Sequence, residues 1–174
     1  PTALSRLGLD LKGRIGDGPE IGRVLGRLTD LGWGARLRRL LDEPDAQVPA
    51  EVVDAAVQVL ASWNWQTRPT AVMALDSDTH PLLIASLARE LARLGRLTDL
   101  GVLRYSPGRR PVTAANSAYR VAALDGAWEP PDLSGVTGPV LLVDDVTDTG
   151  WTLTMASRVV RAAGATEVLP FALA

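Results

Sequence analysis

Cysteine is absent from this chain of 174 residues, so neither a disulfide framework nor thiolate chemistry is open to it. A single histidine, His80, leaves no histidine-based zinc site and little ground for a Ser-His-Asp enzyme. No apolar run approaches the roughly 18 residues of a membrane-spanning helix, and no signal-peptide pattern opens the chain. Lysine is nearly missing: of 18 basic residues one, Lys12, is lysine and the rest are arginine. That bias reads more simply as GC-rich coding than as anion recognition. The formal charge of −2 supplies no global attraction to nucleic acid. What is present suits one compact α/β or α+β domain, or one domain with a small appendage: 47% of residues are hydrophobic and 22% charged, enough for a proper core. The first residue is Pro1 rather than Met, so the chain is expected to be a piece of something longer.

Charge is uneven. Residues 1–39 hold Arg6, Lys12, Arg14, Arg23, Arg27, Arg36, Arg38 and Arg39 against Asp10, Asp17, Glu20 and Asp30, in a glycine-rich setting. Spacing predicts a helix over 19–29 with Ile21, Leu25 and Leu28 on one face. A second is predicted over 35–41, with Leu37, Leu40 and Leu41 inward and Arg36, Arg38 and Arg39 outward. A proline-bearing linker, 42–49, leads to a third helix carrying Val53, Ala56, Val57 and Leu60. From residue 69 the pattern changes. Apolar runs at 70–75, 100–106, 140–143 and 167–174 read as strands, the first and third buried on both faces. Helices are expected from Pro81 to a Gly95 cap, over 114–124, and over 151–163 closed by Gly164. Stretches 107–112 and 126–138 read as loops. The expectation is therefore a helical, glycine- and arginine-rich segment over 1–68 and an α/β domain over 69–174. Its parallel sheet is flanked by helices, with a ligand crevice at the carboxyl ends of the strands.

The chemistry concentrates in VLLVDDVTDTGWT, residues 140–152. An apolar strand delivers Asp144 and Asp145 to the sheet's edge, where paired carboxylates accept hydrogen bonds from sugar hydroxyls or hold a magnesium ion. The turn that follows presents backbone N–H groups and the hydroxyls of Thr149 and Thr152 at a helix N-terminus, which suits a phosphate. Gly150 lets the backbone approach closely.

This stretch resembles the phosphoribosyl-pyrophosphate motif of type I phosphoribosyltransferases at all its defining positions. The resemblance implies Asp144 and Asp145 at the ribose hydroxyls and Thr147, Asp148, Thr149, Gly150 and Thr152 around the 5′-phosphate. Asp148 matches the position where purine enzymes of the family place an acid near the base nitrogen, a candidate general base; the plainer alternative makes it an N-cap of the following helix. The family's pyrophosphate loop falls on Asp76, Ser77, Asp78, Thr79 and His80. Two aspartates there repel pyrophosphate unless Mg²⁺ bridges them. His80 is either a positive group for that loop or a helix-start residue. Arg109 and Arg110 lie where the family has a mobile flap, as a phosphate clamp or a solvated loop tip.

Three further motifs, Leu11-Lys12-Gly13-Arg14, GRLTDLGWG over 26–34 and Trp63-x-Trp65-x-x-Arg68-Pro69, resemble the C-terminal region of bacterial RecQ-like DNA helicases, where a phosphoribosyltransferase-like domain closes the protein. This implies an accessory region in DNA repair or recombination, cytoplasmic and nucleoid-associated, meeting DNA through its parent helicase. A Walker motif is lacking, so the motor is expected upstream of Pro1. Three readings follow: a domain that binds a phosphorylated sugar, nucleotide or DNA phosphate without group transfer; a working phosphoribosyltransferase with Mg²⁺; or an interaction platform with a vestigial pocket. The acids and phosphate turn favour the first over the third, and the acidic pyrophosphate loop favours it over the second. DNA contact would come from local arginines, Arg36, Arg38, Arg39, Arg109 and Arg110. No membrane partner is expected, and nothing in the sequence sets an oligomeric state.

Overall fold

The computed structural model describes residues 20–109 and 123–174. In chain order these form β1 (Arg23–Val24), α1 (Trp33–Asp42), α2 (Ala50–Ser62), β2 (Ala71–Leu75), α3 (Pro81–Gly95), β3 (Thr98–Leu103), β4 (Val140–Asp144), α4 (Trp151–Ala162) and β5 (Val168–Ala172). The five strands make one all-parallel sheet in the order β1-β5-β4-β2-β3. β2, β4 and β5 are buried at every residue, which is why their sequences read as unbroken apolar runs.

Side-chain alternation sorts the core into two layers. Val72, Ala74, Leu141, Val143, Leu169 and Phe171 face one side, under α1, α2 and α3. Ala71, Met73, Leu75, Val140, Leu142 and Val168 face the other, against Leu153, Met155, Ala156 and Val160 of α4. The crossover β2–α3–β3 therefore runs over one face, and β4–α4–β5 over the other. They leave the central pair β2 and β4 in opposite directions, so the loops after those two strands diverge at the carboxyl edge. That divergence opens a crevice where open α/β sheets bind ligands.

Several expectations change. The helix predicted over 19–29 is not formed at the described positions. Arg23 and Val24 instead pair with Phe171 and Ala172 as an edge strand, Asp30 closes a turn on Arg27, and Ile21 is exposed rather than part of an apolar face. Gly22 and Gly26 weaken a helix there, and β5 has an unmet edge. The carbonyls of Val168 and Ala172 accept from the Glu20 and Leu25 amides on this side. Pro170 shares their parity, so its missing N–H falls beside this short strand rather than beside β4. α3 ends one residue later than predicted: Gly95 is its last helical residue, and Arg96 takes the left-handed cap at φ 54°. The 100–106 strand shifts to 98–103, and Gly101, at φ 73°, takes up a register shift against β2. Arg110 and most of the helix predicted over 114–124 lie outside the described residues.

α3 begins at Pro81, and its first-turn amides are not left open. Asp45, on the linker from α1 to α2, accepts the amides of Leu82 at 2.8 Å and Leu83 at 3.0 Å. A carboxylate on two N-terminal amides is both cap and dipole partner, so Asp45→Ala should cost about 1–2 kcal/mol in urea unfolding. An unchanged midpoint would mean that water replaces the cap in full.

Candidate functional site

Alternation along β4 decides where the two acids go. Asp144 shares the parity of Val140 and Leu142, on the α4 side, whereas Asp145 turns toward the start of α3. Asp144 is 5% exposed, and its carboxyl is pushed up to about 8, by burial first and by the neighbouring Asp145 charge second. Its Oδ1 accepts the Asp145 amide at 2.9 Å. Asp145 is half-buried. Its Oδ1 accepts the Val146 amide at 2.7 Å, and its Oδ2 accepts the Ser77 hydroxyl at 2.6 Å. Among the described residues no arginine or lysine makes an ion pair with either acid.

The turn after the acids is shaped from both ends. The Thr147 amide donates to Ala174 O at 2.7 Å, fixing the turn against the end of β5. Gly150 is the N-cap of α4 at φ 73°, with open space where a Cβ would stand. Glycine is thus needed for its left-handed backbone rather than for the close approach predicted from sequence. Asp148 lies exposed two residues before the cap and no side chain caps α4, so the N-cap role weighed for it is not taken. The Thr154 amide bonds Gly150 O at 2.9 Å, and the amides of Trp151, Thr152 and Leu153 precede that first helical bond. Thr149 is exposed and Thr152 half-buried at this end.

The 76–80 loop stands opposite, after β2. Ser77 and His80 are buried there, while Asp78 and Thr79 are exposed. The Ser77 hydroxyl accepts the amides of His80 at 2.9 Å and Thr79 at 3.3 Å. His80 is the N-cap residue of α3, as one of its two predicted roles had it. Its Nδ1 is buried without a hydrogen-bond partner, 3.5 Å from Asp145 Oδ2.

A feature the sequence reasoning missed flanks the acids on the β3 side. Tyr105 stacks on Trp128 with ring centroids 5.2 Å apart and planes 24° from parallel. Backbone bonds from Ser106 to Ala127 and from Glu129 to Arg104 pin the two segments together. Burial, then the charges of Asp144, Asp76 and Asp145, push the Tyr105 hydroxyl up to about 12. Nothing in the sequence pairs the two rings, since Tyr105 follows a mostly exposed strand and Trp128 falls in the stretch read as a loop.

Among the described residues no three metal-ligating side chains cluster. Mg²⁺ takes about six oxygens and commonly only one or two carboxylates, the rest coming from phosphates and water. Asp144 and Asp145, with which no arginine or lysine among the described residues pairs, would supply at most that share. The predicted DNA-contact arginines are not gathered here. Arg36 pairs with Glu51 at 3.6 Å and lies over the Trp33 ring, and Arg38 donates to Leu28 O. Arg39 and Arg109 are exposed. A cavity of about 450 Å³ lies elsewhere, between α2 and α3, lined mainly by apolar residues including Leu60, Trp65 and Leu91. Comparison with known proteins returns no matching family model, curated protein or solved structure.

Proposed function

We propose that this chain is a phosphoribosyl-binding domain of the type I phosphoribosyltransferase kind, acting as an accessory C-terminal region of a RecQ-like DNA helicase. The observation that carries the pocket is the meeting, at one sheet switch point, of the acid pair, the 146–152 turn and the 76–80 loop. Each supplies a complementary part. The α4 amides and Thr149 and Thr152 meet a phosphate, a carboxylate accepts from a sugar hydroxyl, and Mg²⁺ would offset the acidity of Asp76 and Asp78 against a second phosphate. The helicase half rests on the 11–14, 26–34 and 63–69 motifs.

Binding without transfer is favoured by the absence of any lysine or arginine from 76–80. Transfer would break the bond from the ribose anomeric carbon to pyrophosphate and form one to a base nitrogen. One observation speaks for that second reading: Tyr105, half-buried and backed by the buried Trp128, is an aromatic ring on which a base can stack.

Calorimetry with phosphoribosyl pyrophosphate and Mg²⁺ tests the pocket. The double variant Thr149→Ala, Thr152→Ala should weaken binding about tenfold or more, equivalent to ~1.4 kcal/mol, with an unchanged unfolding curve. No heat from the unaltered protein, or equal affinity in the variant, would sink the proposal. Release of pyrophosphate on adding bases would move the assignment to the transferase.

A further inference from the structure

The Trp63-x-Trp65-x-x-Arg68-Pro69 motif lies between the end of α2 and the start of β2, at the opposite end of the strands from the acids. Its Trp65, Arg68 and Pro69 all line the cavity of about 450 Å³ between α2 and α3. Buried Leu91 and Leu141 form the inner lining, and Leu94, 46% exposed, belongs to the outer part. The volume falls in the range of small-molecule sites, roughly 300–1,000 Å³.

One wall is built in advance. Trp65 stacks on the buried Trp63 with ring centroids 4.2 Å apart and planes 22° from parallel. Its amide donates to Trp63 O at 2.8 Å, and the Arg23 guanidinium lies over Trp63, 5.1 Å from the ring centroid. A ring held in this way loses little further freedom when a ligand settles against it.

The lining selects the occupant. Apart from Arg68 every lining residue is apolar, so a ligand with several polar groups, a nucleobase included, would bury them without side-chain partners. No acidic side chain lines the cavity, and among the described residues Arg68 makes no ion pair. A cationic head would therefore meet Arg68 as a like charge. α2 and α3 both end here, at Ser62 and Gly95, and the partial negative charge of their carboxyl ends opposes an anion except beside a full positive charge. An anionic head thus has one favourable place, at the exposed Arg68, whose planar fork suits a carboxylate.

We propose that this cavity is a binding site, separate from the crevice, for a small carboxylate with an apolar body, of the kind of a medium-chain fatty acid. Arg68 holds the head, and Trp65, Leu60, Leu91 and Leu94 pack against the body. The site stands independently of the phosphoribosyl reading.

Calorimetry on the full chain with decanoate, octanoate and octanol, each below its micelle-forming or solubility limit, tests this. Decanoate should bind, with octanoate about tenfold weaker, as two methylenes at about threefold each require. Octanol should bind more weakly than octanoate. Arg68→Ala should weaken both carboxylates about tenfold and leave octanol unchanged. Ala61→Trp, a bulky ring at an exposed α2 residue of the lining, should weaken all three probes without lowering the urea midpoint. No heat from decanoate overturns the proposal, as does undiminished binding in Ala61→Trp. Carboxylate affinity independent of chain length overturns it too, since that is ion pairing at the surface, and so does an equal loss of octanol in Arg68→Ala. A dimer in sedimentation that Leu94→Asp dissolves and decanoate leaves intact would give this face to a second copy instead.

Discussion

Replacing Asp144 by asparagine will make the protein more stable at pH 8 and will flatten its stability between pH 5 and 8. The carboxyl sits about 8 in the folded chain against 3.8 for an unconstrained aspartate, through burial and then the Asp145 charge. Between those values the folded state holds a proton that the unfolded state has released. Stability therefore falls as pH rises through the window, and the loss is complete once pH passes the folded value. Below about pH 4 both states are protonated and the group contributes nothing. At 1.36 kcal/mol per unit the ceiling is on the order of 6 kcal/mol. Relaxation of the surroundings around an ionised carboxylate lowers the expected gain for Asp144→Asn to about 2–3 kcal/mol, or roughly 4–12 °C in Tm for a chain of this size. Urea unfolding of both proteins at pH 5, 6.5 and 8 checks this, and the difference between them isolates Asp144 from every other titrating group. A constant difference across that range would show that Asp144 is ionised throughout. The substitution also removes one of the two acids that the resemblance sets at the ribose, and stability gained where binding is lost is what a site selected for a ligand should show.

The acid that destabilises the fold was visible in the sequence; its separation from its neighbour was visible only in part. Alternation along a strand requires Asp144 and Asp145 to point to opposite sides, and it follows from the residues alone that one of them meets the scaffold. Which one, and through what, depends on Ser77, 68 residues away and brought close by the pairing of β2 with β4. The Asp45 cap of α3 and the Tyr105–Trp128 stack were hidden for the same reason, since each joins segments that only the packed sheet brings together. The elements read most closely were those whose cause is local. β2, β4 and β5 carry apolar runs long enough to be buried on both faces, α3 opens on Pro81, and Gly164 follows α4. β1 was missed because its cause is not local: Arg23 and Val24, within a stretch whose Ile21, Leu25 and Leu28 have a helical spacing, are held as strand by pairing with the edge of β5.

Residues 69–174 expressed alone will not fold to the stability of the full chain, although the chemistry and the two crossover units all lie within them. Leu25, Leu37, Val52, Val53, Ala55, Ala56 and Trp63 precede that boundary, and all are buried in one cluster with Val72, Leu141, Val143 and Phe171 of the sheet. Removing them uncovers that face of β4 and β5, and β5 loses its pairing with Arg23 and Val24. A fully buried Val, Leu or larger side chain contributes about 1.5–3 kcal/mol. The five larger side chains among the seven thus amount to on the order of 10 kcal/mol, comparable with the whole stability of a typical domain, about 5–15 kcal/mol. α3 still covers part of this face through Leu83, Ile84, Leu87 and Leu91, so the fragment should keep helical far-ultraviolet signal while losing a cooperative transition. Urea unfolding followed by tryptophan fluorescence and circular dichroism will show a broad, non-coincident change for 69–174 and one sharp coincident transition for the full chain. Two separate transitions in the full chain, with the later one reproduced by 69–174 alone, would instead make residue 69 the start of an independent domain, and the crevice at the carboxyl ends of the strands could then be studied without the segment that precedes it.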